Sequence, residues 1–337
     1  MERIRLGILG LGRAGYGMHL AELAGKEDKF EIYAVCDLVP ERRRKVADEY
    51  GCRAYETFED MLSDKDIDIF DIAVRSCDHY RYAKEALENG RNVLLEKPMA
   101  MNYREAEELV RIAEEKGVKL YIRHNRRFEG LFDQVRRIAD SEIIGDVFKV
   151  VIRRNAFETR NDWQTLRKYG GGQLLNWGPH LIDQSLRFCG GDYTSLYSDL
   201  RQINASGDCE DHVNIIMKGV NNVTVDMEIS CGCALEMPLY VVYGTRGCIS
   251  ADEKEVYIRY LDKDCEVVRL PANEGNPPQC FEPQPPLDWH EERRVAENVF
   301  LDQIFTAMYD DFRNGVTFPI SHDEALKVMK VIEAVRH

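Results

Sequence analysis

The chain has 337 residues, of which 44% are apolar and 31% charged, and its formal charge is −14. That length suits two domains of ordinary size, and the composition is that of a folded soluble protein rather than a disordered chain. A surface so acidic repels nucleic acid and anionic membrane, which excludes both as expected partners.

The opening "MERIRLGILGLG" runs from charge straight into a glycine-rich turn, so no secretory leader is expected. No apolar stretch approaches the roughly 18 residues of a membrane span. An apolar strand, Ile4 to Leu9, leads into Gly10, Leu11, Gly12, Arg13, Ala14 and Gly15, and a helical pattern follows. A GxGxxG placed between a strand and a helix is a dinucleotide-binding turn. Gly10 permits the turn, Gly12 leaves room for a pyrophosphate, and Gly15 lets the helix pack closely on the strand. The backbone from Gly10 to Gly15 is therefore the expected cofactor cradle, with the helix N-terminus attracting the phosphates.

A second strand, "FEIYAVCD", ends at Asp37. An acid at this distance from the turn binds the ribose hydroxyls of NAD and repels the 2′-phosphate of NADP. NAD is therefore expected over NADP, although Arg42, Arg43 and Arg44 follow and one of them could meet that phosphate. The alternation continues through "DIDIFDIAVRS" (strand), "YRYAKEALENG" (helix), "NVLLE" (strand), "NYREAEELVRIAEEKG" (helix) and "VKLYIRH" (strand). Strands separated by helices predict a doubly wound parallel Rossmann sheet over residues 1–123. Ligands of such sheets bind beyond the carboxyl ends of the strands. Lys97 stands one residue beyond such an end, held by Pro98, which restricts the residue before it.

Beyond the first helices, "DVFKVVIRRNAFE", "HVNIIMKGVNNVTVDMEISCGC", "PLYVVYGTRGCISADEKEVYIRYL" and "CEVVRL" read as strands joined by short turns. They predict an α+β domain with a large, mostly antiparallel sheet over residues 124–320. In "GGGQLLNWGPHLIDQSLRFCGG" the apolar positions form a helical stripe. Asn176 and His180, four residues apart, share a face of it. Pro179 predicts a bent helix that aims His180 into a cleft, the alternative being that Pro179 starts a new helix and His180 is a satisfied core histidine. Cys231 and Cys233 are the only close pair among ten scattered cysteines, which read as free thiols of a reducing cytoplasm. No second pair completes a zinc site, so no metal is expected. Residues 273–289 carry five prolines and cannot form a regular element. Helices are predicted at 291–314 and 321–336, the last (321–337) returning to pack on the nucleotide domain.

The GxGxxG turn, Asp37, Glu96-Lys97-Pro98, "HNRRF" (124–128), "GGGQLLNWGPHLID" (170–183) and "FPISHDEALKVMKVIEAV" together resemble the glucose–fructose oxidoreductase / inositol dehydrogenase / MocA family. The resemblance spans nearly the whole chain. It implies a nicotinamide-dependent oxidoreductase acting on a sugar, polyol or related small molecule, and a homodimer or homotetramer. Lys97 would polarise the reacting oxygen and His180 would exchange its proton. Glu96, Asn125 and His79 would lie on the cofactor side, with Lys97 next to both cofactor and substrate. Two positions depart from the family pattern. Asn176 stands where the family usually has Asp, and Val74-Arg75 stands where Thr-Pro usually precedes the histidine matched by His79. Asn176 is expected to orient a hydroxyl or the imidazole, and Asp183 either to compensate as an acceptor or to form a salt bridge elsewhere. Trp163 is the expected stacking surface for a sugar, ahead of Tyr169; Arg153, Arg154 and Arg160 could meet an acidic group. Other functions keep the same fold. One is a redox-neutral enzyme using bound NAD transiently for glycoside cleavage or epimerisation; another is a non-catalytic NAD-binding regulator.

Overall fold

Residues 2–267, 272, 274–275, 286–298 and 301–336 are described by the structure, a computed structural model. In the first third, strands alternate with helices. The strands are β1 (Ile4–Leu9), β2 (Phe30–Cys36), β3 (Arg53–Tyr55), β4 (Ile69–Ile72), β5 (Asn92–Leu95) and β6 (Leu120–Ile122). They form one parallel sheet in the order β3-β2-β1-β4-β5-β6. The intervening helices are α1, which is a π turn at Gly15–His19 continued by Leu20–Leu23, then α2 (Pro40–Tyr50), α3 (Phe58–Leu62), α4 (His79–Glu88) and α5 (Tyr103–Lys116). Local chemistry sets their ends. Pro40 occupies the first turn of α2, and the Asn102 side chain accepts the Glu105 amide at the start of α5. Gly117 stops α5 in the left-handed conformation.

Register decides where the site lies. Leu9 pairs with Cys36 and with Ile72, Ile72 with Leu95, and Leu95 with Ile122. The residues that follow, Gly10, Asp37, Ala73, Glu96 and Arg123, therefore stand along one rim of the sheet.

The second sheet has eight strands: β7 (Val147–Asn155), β8 (Tyr193–Arg201), β9 (His212–Gly219), β10 (Thr224–Ser230), β11 (Tyr240–Gly244), β12 (Gly247–Ala251), β13 (Glu255–Leu261) and β14 (Trp289–Val295). Their order is β14-β13-β12-β11-β7-β10-β9-β8, with β7 and β10 parallel and the other neighbours antiparallel. Alternate residues such as Val150, Ile152, Val225, Met227 and Ile229 join a core with Phe132 and Val135 of α6 (Gly130–Asp140). Leu181 and Ile182 of α8 (Gly178–Phe188) enter the same core; α8 follows the short α7 (Gln173–Asn176). The expected class, a Rossmann sheet followed by a domain with a large, mostly antiparallel sheet, is the observed one.

Details differ from the sequence reading. The predicted helix 291–314 is a strand over its first residues, and helix α9 begins only at Gln303 and ends at Asn314. β14 is an edge strand whose side chains are largely exposed, so it lacks the apolar alternation that marks a half-buried strand. Pairing with β13 defines it instead, helped by cross-strand ion pairs such as Arg293–Glu255. β8 went unread for a similar reason, since neither of its faces is strictly apolar. Cys265–Val267 is not in a strand, and the rest of "CEVVRL" lies outside the described residues, as does most of the proline-rich stretch 273–289.

Helix α9 covers the parallel sheet, burying Ile304, Phe305, Met308 and Tyr309 against Ile4, Leu6 and Phe30. Helix α10 (His322–Ala334) starts with a capping box of Ser321 and Glu324 and packs against both α5 and α8. The described cysteines are free thiols. Among the described residues, no helix is long and apolar enough to cross a membrane.

Candidate active site

The three glycines of the first turn meet different demands. Gly10 has φ of 92°, and a Cβ there would lie 2.6 Å from the Ala73 carbonyl oxygen. A Cβ on Gly15 would lie 1.9 Å from the Gly10 carbonyl oxygen, so any side chain would push α1 off the turn. A Cβ on Gly12 would meet no atom within 4 Å. The turn thus keeps open space at the N-terminus of α1, where backbone N–H groups and the helix dipole favour phosphate. These residues fit a dinucleotide. Leu11 and Gly12 share an open cleft with Arg13, Tyr16, Gly17, Arg42 and Lys45.

Asp37 is buried beside this cleft. One carboxylate oxygen accepts the Leu11 amide at 2.7 Å and the other accepts the Val39 amide at 2.8 Å. It ties the end of β2 to the glycine turn and retains further lone pairs. Arg43 donates to the Asp37 carbonyl at 2.6 Å, and Arg42 lies 3.8 Å from its carboxylate. His79 does not open onto the cleft. Its Nδ1 is 2.6 Å from the Pro98 carbonyl oxygen and its Nε2 is 3.2 Å from that of Val74, so it braces the loops around the site.

Lys97 begins the segment after β5, and the Lys97–Pro98 peptide is cis. Its ammonium reaches across to the second domain and donates to the main-chain carbonyl of Asn176 at 2.8 Å. Burial lowers the lysine pKa to about 8, with Glu96 opposing the shift and Arg123, Arg126 and Arg13 adding to it. His180 is 7% exposed, and its Nδ1 is buried without a partner. Burial holds it well below the usual histidine range, and the charges of Lys97 and Arg126 push the same way. His124 is neutral for the same first reason, its pKa down at about 4. Its Nδ1 and the Asn125 amide nitrogen are also buried and unpartnered. A cationic donor, a neutral imidazole and orphaned polar atoms therefore gather beside the dinucleotide rim. That combination can take a proton from a hydroxyl and hold charge on its oxygen.

The helix around His180 follows the second of the two readings in its break at Pro179, but not in its histidine, whose Nδ1 has no partner. α7 ends at Asn176, and a new helix starts at Gly178 with Pro179 in its first turn, where a missing N–H costs nothing. Asn176 and His180 consequently sit on separate helices and do not hydrogen-bond. The Asn176 side chain turns towards Gln164, 3.5 Å away, in a small polar cavity also lined by Glu158, Arg160, Gln173 and Glu210. Asp183 is a structural acid, clasped by the Arg127 guanidinium (Nε to Oδ2 3.0 Å), which also binds Glu324 of α10.

Trp177 stands next to His180, while Trp163 opens the short turn whose Gln164 lies 3.5 Å from Asn176. The Trp177 ring meets the imidazole edge-on at 5.9 Å and is flanked by the guanidiniums of Arg126 and Arg154, each 4.4 Å from its centre. Tyr169 is covered by Arg75 at 4.3 Å. Among the described residues, no cluster of His, Cys, Asp or Glu is arranged to hold a metal ion.

Sequence reasoning passed over a buried ionic network beneath Lys97. His19 of α1 lies between Asp71 of β4 (2.7 Å) and Glu96 (2.9 Å). Arg123 binds Glu96 at 2.8 Å and pairs with Glu22 of α1. Burial would raise the Glu96 carboxyl, but Arg123 and His19 outweigh it and hold the group well below the usual carboxylate range. One signal was available: Asp71 is an acid inside an apolar strand, a position that demands a partner.

Comparison with known proteins agrees with this fold. Residues 4–124 match the profile of an oxidoreductase family with an NAD-binding Rossmann fold, and residues 132–250 match the GFO/IDH/MocA C-terminal domain. An oxidoreductase of Schizosaccharomyces pombe is 28% identical over 99% of this chain and 96% of its own. The scyllo-inositol 2-dehydrogenase (NADP(+)) IolW of Bacillus subtilis is 28% identical over 56% of this chain and 53% of its own. The crystal structure of GenD2, from gentamicin A biosynthesis and in complex with NAD, superposes with a TM-score of 0.80 at 22% identity, over 100% of this chain and 94% of that one.

Proposed function

The chain belongs to the GFO/IDH/MocA family of oxidoreductases with an NAD-binding Rossmann domain, and from that premise we propose that it moves a hydride between NAD and a secondary alcohol of a sugar, polyol or sugar derivative. A bound nicotinamide supplies the two-electron hydride acceptor or donor. The chain supplies the rest. His180, kept neutral by burial, takes the hydroxyl proton as the carbinol carbon is oxidised. Lys97 donates to the same oxygen and stabilises the negative charge that develops on it. In the reverse direction the carbonyl oxygen receives the proton back from the imidazolium.

The observation that carries this reading is the reach of Lys97 from the nucleotide rim to the Asn176 carbonyl, at the foot of the helix bearing His180. NAD is favoured over NADP because the Asp37 carboxylate lies at the end of β2, where it would repel a 2′-phosphate. Arg42 and Lys45 nearby are the groups that oppose this preference.

The test mixes the protein with NAD and a panel of polyols, aldoses, uronates and glycosides, following the absorbance of reduced nicotinamide. Lys97→Ala and His180→Ala should each lower turnover by about 10²–10⁴-fold with NAD affinity largely kept. Near-normal turnover in either variant overturns the assignment. Product formation from a glycoside without net NADH would point instead to transient, redox-neutral use of the cofactor.

A further inference from the structure

We infer that His19 is a positioning residue for Lys97, acting through the Glu96 carboxylate, so that the first helix of the nucleotide fold sets the attitude of the lysine. The inference rests on the proposed role of Lys97, although its test needs no substrate. Both ring nitrogens of His19 lie within hydrogen-bond reach of carboxylates, Nδ1 at 2.7 Å from Asp71 and Nε2 at 2.9 Å from Glu96. Carboxylates only accept, so both contacts are made at once by the doubly protonated ring alone. The ring is fully buried, packed edge-on against Phe305 of α9 at 6.0 Å, with the Arg123 guanidinium 5.7 Å from the same phenyl ring. Shut away from water, these charges act on one another strongly.

Glu96 receives the whole arrangement. Its Oε1 takes His19 and Arg123, and its Oε2 accepts the backbone amide of Lys97 at 3.0 Å. The carboxylate is thereby fixed at both ends, and with it the main chain from which the Lys97 side chain leaves. His19 and Glu22 are three apart on one face of α1, so the helix grips the tips of β5 and β6 twice, through Glu96 and through Arg123. The same helix offers its N-terminus to the dinucleotide. Its π turn, in which Met18 and His19 both donate to the Ala14 carbonyl, is an irregularity of the kind found at functional sites.

The competing view is a network that serves stability alone. Lys97 itself reports the difference, because it is faced by Glu96, Arg123, Arg126 and Arg13 and by the neutral His124 and His180. His19 acts on Glu96, and Glu96 holds the Lys97 charge, so removing the His19 charge leaves Glu96 less compensated and should raise the lysine pKa above about 8. The experiment is competitive acetylation with acetic anhydride across a pH series, with the reactivity of Lys97 read by mass spectrometry. It compares wild type, His19→Gln, and Asp71→Asn, which keeps the shape while removing the charge that favours the imidazolium. His19→Gln should move the Lys97 profile upward by roughly one pH unit. Asp71→Asn, which removes a negative charge together with the positive one on the nearer imidazole, should move it the same way but by less, with exposed lysines such as Lys254 unmoved. Turnover on any accepted substrate should fall about tenfold or more. A folded variant with lower melting temperature but an unchanged Lys97 profile overturns the inference. If His19→Gln does not fold, Asp71→Asn decides it. A shifted profile in a protein that oxidises nothing upholds the inference and counts against the proposed reaction.

Discussion

Lys97 and Asn176 meet across the two halves of the molecule through the main chain: the ammonium donates to the Asn176 carbonyl oxygen at 2.8 Å, while the Asn176 amide turns away towards Gln164. The Asn176 side chain, which stands where the family resemblance implies Asp, is therefore not what holds the lysine. Asn176→Ala should keep kcat within about tenfold of wild type, because the carbonyl remains, whereas Lys97→Ala loses far more. Steady-state kinetics of the two variants side by side checks this. Equal losses would mean that the amide itself touches the substrate in turnover.

The same electrostatics fix a pH profile. His180 is held well below the usual histidine range, so the neutral base persists far into acid. Lys97 loses its proton at about 8, and with it the charge that the proposed reaction needs beside the developing oxyanion. The kcat/KM in the oxidation direction should thus stay level from neutral pH down past the ordinary histidine pKa. It should fall with rising pH through about 8. Lys97→Arg, whose guanidinium does not titrate in this range, should remove the alkaline limb even where it lowers the rate.

Asn176 becomes informative again as aspartate. A carboxylate so close to the Lys97 ammonium would favour its charged form and raise its pKa. In Asn176→Asp the alkaline limb should move upward, measured with the same substrate and buffers. An unmoved limb would mean that the new carboxylate points into the Gln164 cavity and is screened from the lysine.

The parts of this site that repeat a local pattern were legible in the letters. GxGxxG, Asp37 and Lys97 each follow a strand, and parallel register carries every such position to one rim. His180 was legible too, because a histidine beside Pro179 in a glycine-bounded apolar stripe has few bland explanations. What the letters did not show depended on contacts between distant segments. Trp163 and Trp177 look equally exposed in sequence; the partners of Trp177, Arg126 and Arg154, come from elsewhere in the fold. His19 looks like one more polar residue in a short helix until Asp71 and Glu96 close around it. β14 reads as a charged helix because its stabilising partners lie across the sheet, not at i+4.

Cofactor choice turns on one charge. Asp37 would repel a 2′-phosphate, while Arg13, Arg42 and Lys45 line the adjoining cleft and would attract it. Asp37→Asn keeps an acceptor for the Leu11 or Val39 amide and removes the charge. It should shift the ratio of kcat/KM for NAD over NADP by roughly tenfold or more towards NADP, about one close charge pair near a protein surface. A ratio that does not move would place the 2′ position away from Asp37.

Asp183 lies three residues beyond His180, yet its work is mechanical. Both of its carboxylate oxygens bind Arg127, whose guanidinium also holds the Pro319 carbonyl and Glu324 at 2.8 Å each, fastening α8 to the C-terminal helix. The Arg127 and Asp183 side chains are 6% and 4% exposed, so removing one partner strands a buried charge, at a cost of about 3–5 kcal/mol. Asp183→Asn should accordingly lose that much in denaturant unfolding, while the folded fraction binds NAD and turns over near the wild-type rate. The clasp has an acid limit as well. Burial would raise Glu324, but Arg127 and Ser321 hold it at about 2 against an ordinary 4.5. A depressed carboxylate stabilises the fold above its unfolded pKa, and that contribution drains away as pH falls from about 4.5 towards 2. Glu324→Gln should flatten this part of the stability curve. A large loss of turnover in fully folded Asp183→Asn would instead make the acid a partner of the catalytic imidazole.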